Sequence, residues 1–167
     1  MTPIAAPRNS SSRHVLALVL FLLACYGVAA VGAFSTASSI PSWYAALTKP
    51  SFNPPNWIFA PVWTTLYGLM AIAAWLVWRT TPPTRDRRSG LVFFTIQLLL
   101  NAFWTPVFFS LHQLLPALIV ILCLWIAILL TALRFWKVDR FAGGLMIPYL
   151  LWVSFASVLN YEIFRLN

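Results

Sequence analysis

The chain has 167 residues, of which 61% are hydrophobic and only 8% charged, with a mean hydropathy of +0.83. A soluble domain carries roughly 25% charged residues, so this composition excludes a water-soluble globule and points to an integral membrane protein. Eleven Lys and Arg against three acidic residues give a net charge of +8, but the cations fall between apolar runs, where they set topology and meet anionic headgroups rather than nucleic acid.

Residues 1–13, with Pro3, Pro7 and a serine run, lack an apolar period and read as a disordered tail. The apolar run from Val15 to Phe34 contains LLAC ending at Cys25 and GVAAVGA after it, both faintly like processing sites. At about 20 residues it exceeds the roughly 7–15 of a signal core, so it reads as a transmembrane helix over about 14–34. Residues 35–56 form a connection longer than the roughly 12–15 residues at which an unstructured loop becomes functional or disordered. Pro50, Pro54 and Pro55 bar a continuous helix there. The stretch from Trp43 to Trp78 holds five Trp, two Tyr and two Phe, too much aromatic surface to leave in water. The loop is therefore expected to fold over an apolar pocket as a lid formed by Trp43, Lys49, Phe52, Pro54 and Pro55.

The second helix covers about 57–78, with Pro61 tolerated in its first turns. After a polar turn bearing Arg85, Arg87 and Arg88, residues 89 to 133 contain no charged side chain. These 45 residues at ~1.5 Å each span about twice a ~30 Å hydrocarbon core. Two helices follow, 89–109 and 114–134, separated at Ser110, His112, Gln113 and Pro116. A last helix runs over 141–161, giving an all-α bundle of five transmembrane helices. With the N-terminus inside, nine cations lie on the inner side and only Lys49 and Arg165 on the outer, so the lid and the C-terminus face outward.

Polar side chains within spans are the best pointers to a site, because hydrocarbon penalises unpaired amides by several kcal/mol. Gln97, Asn101, Trp104, Thr105 and Phe108 share one helical face. Trp63, Tyr67 and Met70 line up on the second helix, and Tyr149, Trp152, Ala156 and Asn160 on the last. Converging, these stripes would make an apolar small-molecule pocket with a few hydrogen-bonding groups. Polar helix packing is the competing account, and Trp57, Trp75, Trp78 and Trp136 read as an interfacial belt. Gly27, Ala29, Gly32, Ala33 and Gly143 are small enough for close helix approach. Cys25 and Cys123 read as buried small hydrophobes, with no metal site. No acid–base pair or nucleophile triad can be assembled at mid-membrane, so no catalytic residue is assigned. Without intramembrane charge or a repeat, an ion-coupled transporter fits poorly.

The motifs WY with LTKPSFNPP (Trp43 to Pro55), VWTTLYGLM (Val62 to Met70), QLLLNAFWTPVFF (Gln97 to Phe109) and PYLLWVSFASVLNYEIFRLN (Pro148 to Asn167) resemble those of the TspO/MBR family, the tryptophan-rich sensory proteins and mitochondrial translocator proteins. The resemblance covers nearly everything from the first helix onward. It implies a five-helix bundle, often a homodimer, whose pocket under the first loop binds protoporphyrin IX or haem as ligand, with no required cofactor, and also isoquinoline and benzodiazepine compounds. Family pocket positions fall on Tyr44, Trp63, Asn101, Trp104, Trp152 and Ala156, and Tyr67 joins them from the helical-face reading. Leu159, Tyr161 and Arg165 fit the family's sterol motif. Phe52 stands where members typically carry Trp. The resemblance implies a tetrapyrrole-binding translocator or stress sensor in a bacterial cell membrane. The alternative is an enzyme that degrades porphyrin in light through pocket Trp side chains.

Overall fold

A computed structural model describes residues 9–80 and 82–167. Its elements are α1 (Asn9–Ala37), a π-helical turn (Ile40–Tyr44), a 3-10 turn (Asn56–Ile58), α2 (Phe59–Arg79), α3 (Arg85–Phe109), α4 (Leu114–Val138), α5 (Arg140–Leu145) and α6 (Ile147–Leu166), with no strand among the described residues. Five segments are long and apolar enough to cross a membrane, α5 and α6 together forming the fifth.

Several boundaries differ from the sequence expectation, each for a local reason. Residues 9–13 belong to α1 rather than to a tail, because extending a helix already nucleated by the apolar run gains one hydrogen bond per residue fixed. The rest of the expected tail, residues 1–8, lies outside the described residues. Helix α3 starts a turn early because the Thr84 hydroxyl accepts from the Arg87 N–H at 3.1 Å, capping it at Arg85. Helix α4 runs on to Val138 and is followed at once by α5, whose first amides, those of Phe141 and Ala142, donate to Asp139 Oδ1 at 2.8 and 3.1 Å. The last span is then offset at Met146, since Pro148 has no N–H to continue the ladder from α5. Between α3 and α4 the chain reverses over Ser110–Gln113, with His112 at φ 56 in the left-handed region.

At the end remote from the lid the core of the bundle is packed, and an open apolar groove of about 390 Å³ runs between α1 and α3 beside Phe21 and Phe94. Phe94 stacks on Phe135 at 6.0 Å and meets Phe21 edge-on. Met70, Ala71, Ala73, Ala74, Val77, Ile128 and Met146 are fully enclosed around them. Gly143 lets α5 press on α4, where a Cβ would stand 2.7 Å from the Trp136 Cα. The Trp75 indole donates to the His14 carbonyl (2.9 Å), tying α2 to α1, and Arg134 pairs with Asp86 at 2.9 Å between α4 and α3. The outer surface is apolar, with Leu23, Leu99 and Leu151 each about two-thirds exposed, as a bilayer-facing wall requires. Cys25 is buried as expected, but Cys123 is exposed on that wall.

Candidate functional site

At the lid end the helices do not close. Residues of α1, α2, α3, α6 and the lid surround a cavity of about 440 Å³. The space follows from the residues: α1 contributes Ala29, Ala30, Gly32, Ala33 and Thr36, side chains too short to reach the opposite wall. Gly32 sets α1 against α3, with Thr105 Oγ1 3.6 Å from where its Cβ would be. Across the cavity, α2 presents Phe59, Trp63 and Tyr67, α3 presents Trp104 and Phe108, and α6 presents Trp152, Ala156 and Leu159. Helix α4 does not line it.

Hydrogen bonds among these side chains hold the walls. Tyr67 donates its hydroxyl to Asn101 Oδ1 at 2.6 Å, and Asn101 Nδ2 donates to the Tyr149 hydroxyl at 2.7 Å. This buried chain joins α2, α3 and α6 beneath the cavity. Trp104 Nε1 donates to Asn160 Oδ1 (3.2 Å), and Asn160 Nδ2 to the Leu114 carbonyl (3.3 Å). Trp104 stacks on Phe108, Trp63 leans on Tyr67 and Tyr149, and Trp152 meets Phe59 and Phe155. No charged residue lines the cavity among those described.

The lid is tied down on several sides. Tyr44 is buried and donates its hydroxyl to Asn53 Oδ1 at 2.9 Å. Burial raises its phenol above the ordinary value, and the hydrogen bond to Asn53 partly opposes this. Trp43 stacks on His112 with ring centroids 4.2 Å apart and meets Phe108 edge-on. Lys49 Nζ lies 4.8 Å from the Tyr44 ring centre and donates to the carbonyls of Ala45 and Leu47. Phe52 contacts Phe155 at 6.3 Å, and Asn53 Nδ2 donates to the Pro54 carbonyl, which shapes the Pro54–Pro55 corner. Asn167 accepts from the Thr48 N–H at 3.0 Å and donates to the Thr48 carbonyl at 2.9 Å, strapping the lid to the end of α6.

Of the residues singled out from sequence, Tyr44, Trp63, Tyr67, Trp104, Trp152 and Ala156 all line the cavity. Asn101 does not: it is 1% exposed and lies below the floor, where it positions Tyr67. Leu159 is in the cavity wall, whereas Tyr161 is 50% exposed on the opposite face of α6 and Arg165 is paired with Glu162 at 2.7 Å. The three sterol-motif residues are therefore not gathered in one place. Gln97 shares the Asn101 face but is wholly enclosed, its amide without a hydrogen-bond partner among the described residues. The wall supplied by α1 was missed as a wall. Its only signal was a cluster of small residues, which close packing explains equally well.

The model of the TspO/MBR family matches residues 20–166. Among curated proteins the chain is 42% identical to the tryptophan-rich protein TspO of Chlorobaculum tepidum, over 93% of this chain and 99% of that protein. It is 39% identical to protein CrtK of Rhodobacter capsulatus, over 91% and 95% of the two chains, and 39% identical to the human translocator protein, over 75% of each.

Proposed function

The chain belongs to the TspO/MBR family of integral membrane proteins, and on that premise we propose that it binds a porphyrin, protoporphyrin IX or haem, in the cavity under its lid, as a sensor or translocator. The carrying observation is the cavity: about 440 Å³, uncharged, and walled by three indoles and two phenols. Small-molecule sites typically enclose ~300–1,000 Å³ with apolar and aromatic walls and a few fixed polar groups. Indole faces suit a flat conjugated macrocycle. The described lining offers no His, Cys or Met to an iron atom, and its two phenols, Tyr44 and Tyr67, are engaged with Asn53 and Asn101, so the walls act on the ring itself, and metal-free porphyrin fits as well as haem. The excess of cations on the loops remote from the lid supports a topology with the lid outside a bacterial cell membrane.

The test is quenching of Trp fluorescence by protoporphyrin IX, in the dark and under illumination, beside Trp152→Phe and Ala156→Leu. One-to-one saturable quenching that weakens in Ala156→Leu supports the reading. Wild-type binding in both variants would show that the cavity is not where the porphyrin goes. Loss of porphyrin over many turnovers at substoichiometric protein in light would replace binding with catalysis.

A further inference from the structure

The cavity wall is not equally thick all round. Its exposed lining residues are Ala30, Ala33, Asn56, Ala60 and Thr64. All five lie on α1, on α2 or in the turn leading into α2, whereas every lining residue of α3 and α6 is at least half-buried. Between α1 and α2, then, the cavity is flanked by the methyl groups of Ala30, Ala33 and Ala60 and by Thr64, with Asn56 in the turn before α2. Thr64 cannot reach across, because its hydroxyl is turned back onto the Ala60 carbonyl at 2.8 Å. The lower edge of the gap is defined by Tyr26, whose hydroxyl donates to the Thr64 carbonyl at 3.2 Å and lies 3.1 Å from where a Cβ of Gly68 would be.

The depth of this gap decides what it faces. Ala30 and Ala33 are seven and four residues from the end of α1 at Ala37, or about 6–10 Å at ~1.5 Å per residue. Ala60 and Thr64 fall in the first two turns of α2. With a hydrocarbon core of ~30 Å, a single leaflet is about 15 Å deep, while the 29 residues of α1 are longer than the core, so the gap opens at the headgroup boundary and onto the outer part of the acyl chains. The lid above is held by Trp43 on His112, Tyr44 on Asn53 and Asn167 on Thr48.

We propose that the cavity is loaded sideways from the bilayer, through the α1–α2 gap, by ligand already dissolved in the lipid, while the lid stays shut. This rests on the reading of the cavity as a ligand site, and it restricts the ligand class to flat molecules that partition into the leaflet. A porphyrin would slide in ring-first, with its acid groups left at the headgroup level, since no cation among the described residues lines the cavity to receive them.

The experiment is stopped-flow Trp quenching in liposomes preloaded with protoporphyrin IX, comparing wild type with Ala33→Leu, Thr64→Leu and Asn167→Ala. Narrowing the gap with either leucine is expected to slow association and dissociation together, each by about tenfold, as a gate does, whereas a leucine that only crowds the cavity speeds dissociation. Asn167→Ala, which frees the lid, is expected to leave both rates within about twofold, and rates should follow ligand per lipid rather than ligand in water. Faster association in Asn167→Ala with normal rates in both leucine variants would overturn the proposal in favour of the lid. A leucine variant that loses affinity through faster dissociation alone would overturn it too, by making the gap part of the pocket. Absence of saturable quenching in wild type would instead remove the porphyrin reading, and the proposal with it.

Discussion

The two ends of this bundle are built from the same kinds of residue and behave in opposite ways. At the far end, Phe94, Phe135, Met70 and Met146 are matched by Ala71, Ala73, Ala74 and Gly143, large against small, so the core is filled and the space that remains, about 390 Å³, is an open groove between α1 and α3. At the lid end, small α1 residues also face large aromatic ones, yet about 440 Å³ remains open. The difference lies in what holds the helices apart. Far from the lid, α4 and α5 close the bundle through backbone contact. Near the lid, α4 is absent from the wall, and the polar chain through Tyr67, Asn101 and Tyr149 props the helices at a fixed spacing. Small residues by themselves make neither a packed core nor a pocket; the partner helix and its hydrogen bonds decide.

The largest effect is expected where packing is tightest. Gly143→Val would put its Cβ 2.7–2.8 Å from the Trp136 backbone, which cannot yield as a side-chain end would. A loss of about 3 kcal/mol is expected, seen as a marked fall in Tm by circular dichroism in detergent. An unchanged Tm would show that α5 is not pressed on α4. Asn101→Leu should come next, because it strands two buried phenol hydroxyls at once. About 2 kcal/mol of stability should be lost, together with porphyrin affinity as Tyr67 loses its support. Retained affinity with lowered Tm would mean that the floor does not need Tyr67 in place. At the open end the same kind of insertion should be tolerated structurally: Ala156→Leu fills space, so Tm should hold while porphyrin binding weakens at least about tenfold, or ~1.4 kcal/mol. A fall in Tm like that of Gly143→Val would erase the contrast between the two ends.

Much of this was legible in the chain before any coordinates. A 3.6-residue period aligned Trp63 with Tyr67, and Trp152 with Ala156, and those faces do meet in one cavity. What escaped were relations across helices. Asn101 looked like a ligand contact because it shares a face with Trp104, but two tyrosines from other helices claim its amide. The strap between Asn167 and Thr48 joins residues 119 apart, and no local pattern encodes it. Ala29, Gly32 and Ala33 gave one signal for two uses, close approach to α3 and an open flank toward α2, and only the placement of Thr105 and Trp63 separates them.

The smallest expected effect is a gain. Gln97 is fully enclosed, one turn below Asn101, and neither end of its amide has a partner among the described residues. Removing an unpaired buried polar group in favour of an apolar one of similar shape is neutral to stabilising, because its desolvation penalty of about 1–3 kcal/mol disappears. Methionine matches the length of glutamine and adapts to irregular space. Gln97→Met should therefore raise Tm modestly, by the equivalent of about 1 kcal/mol, and leave porphyrin quenching unchanged, since Gln97 does not line the cavity. A lower Tm would mean that the amide is satisfied within the folded protein, and the packed end of the bundle would then hold a polar contact of its own. A loss of binding with Tm intact would extend the polar floor of the cavity one turn deeper than Asn101, and the boundary between the two ends would move with it.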